Sequence, residues 1–141
     1  MQIQRQLREM LGKIGPSWQS RQEYRKKVAA YFTLLFPGTQ TVVNLSPQTW
    51  NLALAFRATK DKRSACRVVA GELNGDDLRL LGRTEAFGDI LVLSDELPAE
   101  SDRETISASI RKLGAKVIGF AAISGWTRRG VQPSCQTIFD S

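Results

Sequence analysis

Two apolar runs decide the fold, Gly88-Asp-Ile-Leu-Val-Leu-Ser-Asp-Glu-Leu97 and Leu113-Gly-Ala-Lys-Val-Ile-Gly-Phe-Ala-Ala-Ile123. Ile90 to Leu93 and Val117 to Ile123 are too short and too evenly apolar for amphipathic helices, and Gly bounds both, so they read as strands covered on both faces. Between them Ser101 and Glu104 have capping-box spacing, Ile106, Ile110 and Leu113 recur at helical spacing, and Gly114 stops the run. A helix joining two buried strands makes a right-handed crossover and a parallel pair.

Upstream, Ile3, Leu7, Met10, Leu11 and Ile14 form one helical stripe, broken by Gly15-Pro16. Ser20 and Glu23 suggest a second capping box, after which Tyr24, Val28, Tyr31, Phe32 and Leu35 repeat the spacing up to Pro37-Gly38. Beyond that break Thr41 to Leu45 reads as a short strand. Trp50, Leu52, Leu54 and Phe56 alternate with Asn51, Ala53, Ala55 and Arg57, which predicts another strand, although Ser46-Pro47 is also a good helix start. Asn74-Gly75, between Val68–Leu73 and Asp77–Leu81, predicts a hairpin with a type I′ turn. Val131 to Phe139 reads as an edge or irregular segment because of Pro133. The expected fold is therefore α/β or α+β in one domain over residues 1–141. A helical pair occupies 1–36, and 39–141 form a single mixed sheet in which an antiparallel meander leads into a βαβ unit with its crossover helix near 101–114.

Composition bounds the chemistry. The 141 residues are 42% hydrophobic and 24% charged, ordinary globular values. No apolar run reaches the ~20 residues of a membrane helix, and Arg5, Arg8 and Glu9 stand where an export signal would be apolar, so a cytoplasmic, non-membrane protein is expected. There is no histidine, which removes His-based acid/base and nucleophilic chemistry and His metal ligands. Cys66 and Cys135 read as buried, inert thiols; no metal site and no cofactor is expected.

Charge is uneven. Residues 1 to 64 hold 11 Lys and Arg against 3 Asp and Glu, whereas the remainder holds 9 against 11, so the excess of +6 lies wholly in the first half. That asymmetry favours a polyanionic partner. The leading expectation is a non-enzymatic nucleic-acid-binding regulatory or accessory protein, bound to DNA or RNA phosphates through Arg21, Arg25, Lys26, Lys27, Arg57, Lys60, Lys62 and Arg63. Trp126, Arg128 and Arg129, between Gly125 and Gly130, would add a stacking and phosphate contact. A protein-interaction subunit whose basic face meets an acidic partner is a further reading.

The alternative is an enzyme, or degenerate enzyme, acting on a phosphorylated or nucleotide substrate. Gly88 to Leu97, a loop, a helix, and Leu113 to Ala121 resemble the strand, diphosphate loop, helix and strand of type I phosphoribosyltransferases over about 35 residues. In that family an acidic pair ends the strand and a Thr-Gly-Gly-Thr-like loop cradles the ribose phosphate. Asp95 and Glu96 match the pair, and the resemblance implies that they are metal or ribose ligands. Leu97 to Thr105 departs from the pattern: it lacks glycines and carries Glu100, Asp102 and Glu104 where a phosphate would lie. The bland account of those acids is a helix N-terminus, which favours negative charge by roughly 0.3 to 1 kcal/mol without a ligand.

Overall fold

A computed structural model describes residues 2–59, 66–82, 88–125 and 135–140. Its six strands form one sheet in the order β3-β2-β1-β4-β5-β6, and helices cover both faces. Helix α1 (Gln2–Ile14) and helix α2 (Gln22–Leu35) are the expected N-terminal pair. Gly15, at φ 78°, ends the first, and a 3-10 turn at Pro16–Ser20 buries Trp18 between them. The Ser20–Glu23 capping box does not form. Arg21 takes the N-cap without a side-chain bond, and the Ser20 hydroxyl donates backwards to the Ser17 carbonyl at 2.7 Å.

Strand β1 (Thr41–Asn44) is buried along its whole length and runs parallel to both neighbours, β2 (Arg67–Asn74) and β4 (Asp89–Glu96). Parallel strands adjacent in sequence need a crossover. The segment predicted as a strand around Trp50 to Arg57 supplies it: a 3-10 turn at Pro47–Thr49 runs into helix α3 (Trp50–Thr59). The apparent alternation misled because three alanines and two leucines carry high helix propensity, and burial follows the helix. Leu52, Ala53 and Phe56 are buried while Asn51 and Arg57 are exposed.

The antiparallel meander reduces to one hairpin, β2 with β3 (Asp77–Leu81). Asn74 pairs with Asp77, so the turn centres on Gly75-Asp76 instead of Asn74-Gly75. Gly75 has φ 58° and no non-glycine described residue has positive φ, which excludes the type I′ turn. The first central glycine is where type II′ places it.

The stretch that decides the fold behaves as read. Strand β4, helix α4 (Glu100–Lys112) and strand β5 (Lys116–Gly125) form a parallel βαβ unit, and Gly114 at φ 83° closes the helix. The Ser101–Glu104 capping box is absent, since Ala99 is the N-cap and makes no side-chain bond. Strand β6 (Cys135–Asp140) lies parallel to β5 at the sheet edge. Gln4 Nε2 and Arg8 Nε of α1 donate to the Thr137 and Ile138 carbonyls of that strand.

Alternation along the strands separates two cores. Val42, Leu91, Leu93, Ala121 and Ile138 face α1, α2 and α3, together with Trp18, Phe32 and Phe56. Val43, Ile90, Val92 and Phe120 face α4 through Ile106 and Ile110. Cys66 and Cys135 are buried, one in each core. Among the described residues no helix is long and apolar enough to cross a membrane.

The first core closes most tightly where the Phe36 ring lies flat on β5 at Gly119; a Cβ there would penetrate the ring. Gly119→Ala should therefore lower stability by about 1 to 3 kcal/mol through overpacking, read as a reduced urea midpoint at unchanged m-value.

Candidate functional site

The chain leaves β1 for β2 through α3 on one face and leaves β4 for β5 through α4 on the other. Right-handed crossovers running in opposite directions along a sheet necessarily occupy opposite faces. Adjacent strands β1 and β4 thus form a topological switch point, and the crevice that such a point creates beyond the carboxyl ends of its strands is where open α/β sheets bind ligands.

Asn44, Leu45 and Ser46 form one lip of that crevice and Ser94, Asp95 and Glu96 the other. The lips are tied together. Ser46 Oγ accepts the Asp95 backbone N–H at 3.0 Å, and the Leu45 N–H donates to the Leu93 carbonyl at 2.9 Å. Buried Asn44 holds the first lip in shape: its Nδ2 donates to the Ser46 carbonyl at 2.8 Å, and its Oδ1 accepts from the Thr49 hydroxyl at 2.5 Å. On the second lip the Ser94 hydroxyl donates to the Glu96 carbonyl at 2.6 Å, and Leu97 N–H donates to the Ser124 carbonyl of β5 at 2.9 Å.

These bonds fix backbone and leave carboxylates unspent. Asp95 is half-buried and Glu96 exposed. Among the described residues neither side chain makes a hydrogen bond or an ion pair. Strand alternation sends Asp95 to the side of Leu91 and Leu93, and Glu96 to the side of Ile90 and Val92. Anything lying across the end of β4 therefore meets a carboxylate on each side. The following loop leads into α4, whose first turn holds Glu100 and Asp102 and whose last holds Arg111 and Lys112, the arrangement its dipole favours.

Of the cations expected to bind phosphate, the described ones lie on other elements. Arg21, Arg25, Lys26 and Lys27 share the start of α2. Arg21 sits 5.3 Å from the Tyr24 ring centroid and 3.9 Å from Glu23, and Arg25 donates to the Gln19 carbonyl at 2.9 Å, so both are engaged in local structure. Lys26 and Lys27 are exposed. Arg57 stands in the last turn of α3, where the chain returns to the amino ends of the strands, opposite the crevice. Lys60, Lys62, Arg63, Trp126, Arg128 and Arg129 lie outside the described residues. Sequence reasoning passed over Asn44, Ser46, Thr49 and Ser124; the available signal was Ser46-Pro47 directly after a short apolar strand.

Known structures share this architecture. A phosphoribosyltransferase from Corynebacterium diphtheriae superposes with a TM-score of 0.66 at 13% identity, over 100% of this chain and 97% of that one. The Mycobacterium tuberculosis orotate phosphoribosyltransferase in complex with 5-phospho-α-D-ribosyl 1-diphosphate gives 0.63 at 11% identity, over 99% and 90%. A hypoxanthine-guanine phosphoribosyltransferase from Bacillus anthracis gives 0.57 at 15%, over 85% and 76%. The fold is similar to that of phosphoribosyltransferases. No protein-family model and no curated protein matches the sequence.

The comparison corrects the leading sequence expectation. The solved structures that this chain resembles are phosphoribosyltransferases, an enzyme fold, and the reading as a non-enzymatic nucleic-acid-binding, DNA-binding regulator is overturned. It rested on net charge, which describes long-range attraction and not fold. Within the phosphoribosyltransferase-like arrangement the crevice depends on its clasp. Ser46→Ala should cost about 1 kcal/mol, and hydrogen exchange should show faster exchange of the Asp95 amide with little change at the amino end of β4.

Proposed function

We propose that this chain acts on a phosphorylated ribose or a nucleotide bound in the crevice between β1 and β4, with Asp95 and Glu96 holding the ribose hydroxyls. The observation that carries this reading is the pair of adjacent, unengaged carboxylates ending the central strand at the switch point of a phosphoribosyltransferase-like fold. One similar enzyme is known in complex with a phosphoribosyl diphosphate.

The chemistry suits the residues. An ionised carboxylate only accepts hydrogen bonds, and a vicinal diol offers two O–H donors. Bonds to a charged acceptor are about twice as strong as neutral ones. Asp95 and Glu96, on opposite sides of the strand end, can each take one hydroxyl and orient the ring. Among the described residues no group of three or more His, Cys, Asp or Glu side chains could hold a metal alone. A Mg²⁺ ion arriving with substrate would be held by one or both carboxylates and the ligand's own oxygens, its common mode of binding.

The loop narrows the ligand. A glycine-lined loop lets backbone N–H groups approach a diphosphate closely; Leu97, Pro98 and Ala99 do not offer that approach, and Glu100 and Asp102 repel a second phosphate. Like unit charges ~4 Å apart oppose each other by roughly 1 to 4 kcal/mol, depending on solvent. A monophosphate is therefore the preferred partner over a sugar 1-diphosphate. Cys66 and Cys135, buried in opposite cores and not joined to each other, suit a reducing, cytoplasmic setting.

Calorimetric titration of ribose 5-phosphate, a nucleoside monophosphate and phosphoribosyl diphosphate, with and without Mg²⁺, tests the reading. The monophosphates should bind more tightly than the diphosphate. Exchanging both carboxylates, D95N with E96Q, should weaken them roughly 10- to 100-fold, the worth of charged hydrogen bonds, at unchanged melting temperature. If none of the three ligands binds the unmodified protein, the proposal fails.

A further inference from the structure

We infer that Arg103 is the phosphate-recognising residue of this crevice, standing in for the glycine-lined backbone cradle that the loop lacks. This rests on the reading of the crevice as a site for a phosphorylated ribose.

Arg103 is the fourth residue of α4, and its backbone N–H makes an early helical bond to the Ala99 carbonyl at 2.9 Å. Its side chain turns back toward the helix start, the direction in which helical Cβ atoms point, and Nη1 donates to the Pro98 carbonyl. The guanidinium is thus held, half-buried, over the loop that follows Glu96. Pro98 is two residues beyond Glu96, at most about 7 Å of chain. That is the order of the distance across a pentose from its ring hydroxyls to a 5-phosphate.

A cation in the first turn faces the positive end of the helix dipole. Glu100 and Asp102 are close in sequence, yet among the described residues no carboxylate forms an ion pair with Arg103. One N–H of the five is bonded to Pro98, and among the described residues the side chain makes no other bond. A guanidinium with spare donors in a fixed fork matches a phosphate bidentately, whereas lysine is a point charge that cannot. Tying down a loop needs one donor; Arg103 carries four more. An arginine in this position also explains how a loop bearing two acids tolerates an anion, because it supplies locally the positive charge that backbone N–H groups would otherwise give.

The experiment titrates ribose, ribose 5-phosphate and inorganic phosphate into the unmodified protein, R103K, R103Q and the D95N/E96Q pair, with melting temperatures in parallel. Ribose 5-phosphate should bind the unmodified protein at least ~10-fold more tightly than ribose, the worth of about one charged hydrogen bond. R103Q should bring ribose 5-phosphate down to the affinity of ribose and leave ribose itself unchanged, while D95N/E96Q weakens both. R103K keeps a donor for the Pro98 carbonyl and so keeps the loop closed; it should recover only part of the phosphate-dependent gain, which decides the matter if R103Q folds poorly. Ribose 5-phosphate binding that survives in R103Q or is full in R103K, but is lost in D95N/E96Q, would reduce Arg103 to a loop staple and overturn the inference alone. An unmodified protein that binds neither sugar overturns the crevice reading and this inference with it.

Discussion

Parallel pairing on both sides of a four-residue strand is the constraint from which the rest of this molecule follows. Thr41 to Asn44 are all buried, and β1 is bonded in register to β2 through Arg67 to Ala70 and to β4 through Ile90 to Leu93. A strand with parallel neighbours on both sides must be covered on both faces, so Val42 and Val43, side by side in sequence, belong to separate cores. The chain cannot reach β2 by a tight turn, and α3 exists because it has to cross over. The second crossover, from β4 to β5, runs the other way along the sheet and puts α4 on the opposite face. The crevice is the geometric residue of those two departures; no loop had to evolve into a pocket for a binding position to arise.

The two faces are unequal, and the inequality serves the site. Three helices and most of the aromatic mass, Trp18, Tyr31, Phe32, Phe36 and Phe56, cover one side. Burial of each such side chain is worth about 1.5 to 3 kcal/mol, so β1 and the first lip are anchored in the more heavily packed half. The other face relies on α4, with Ile106 and Ile110 at its centre and Ser109 bonded to the Asp77 carboxylate at 3.1 Å across to the edge strand. Asp95 and Glu96 emerge at the seam, one toward each layer. The Asp95 backbone is clamped by Ser46 and Ser124, while among the described residues neither carboxylate makes a hydrogen bond or ion pair. Rigid backbone beneath free carboxylates is what preorganised recognition needs.

Sequence carried the part of this that depends on local order. Strands β4 and β5 were legible because burial on both faces writes an uninterrupted apolar run, and the helix between them because Ile106, Ile110 and Leu113 recur at helical spacing. The acidic pair was legible because it ends such a run. Helix α3 was misread because Trp50, Leu52, Leu54 and Phe56 satisfy a period of two as well as a helix does over so short a span, and only the parallel pairing of β1 with β2 decides between them. Both capping boxes failed for a related reason: spacing identifies a candidate, but the N-cap is whichever residue the incoming loop leaves in extended conformation, here Arg21 and Ala99. Ser46 could be read as a helix start but not as a clasp, since its partner, the Asp95 amide, is 49 residues away and becomes its neighbour only once the strand order is known.

Charge shows most clearly how a global property can point away from a local one. The chain carries +6 overall, and at long range that attracts any phosphate. Such attraction is screened beyond roughly 8 Å at physiological salt and cannot select among anions. Several of the cations behind it are used up near the surface, with Arg8 on the edge strand, Arg25 on a backbone carbonyl and Arg21 stacked against Tyr24. The end of β4 and the start of α4 carry the opposite sign, Asp95, Glu96, Glu100 and Asp102, with Arg103 as the cation among them. The sign of the whole molecule is thus reversed at the carboxyl end of β4. A glycine-rich loop would put successive backbone N–H groups beside that strand end, whereas Leu97 to Thr105, which hold no glycine, put carboxylates there instead.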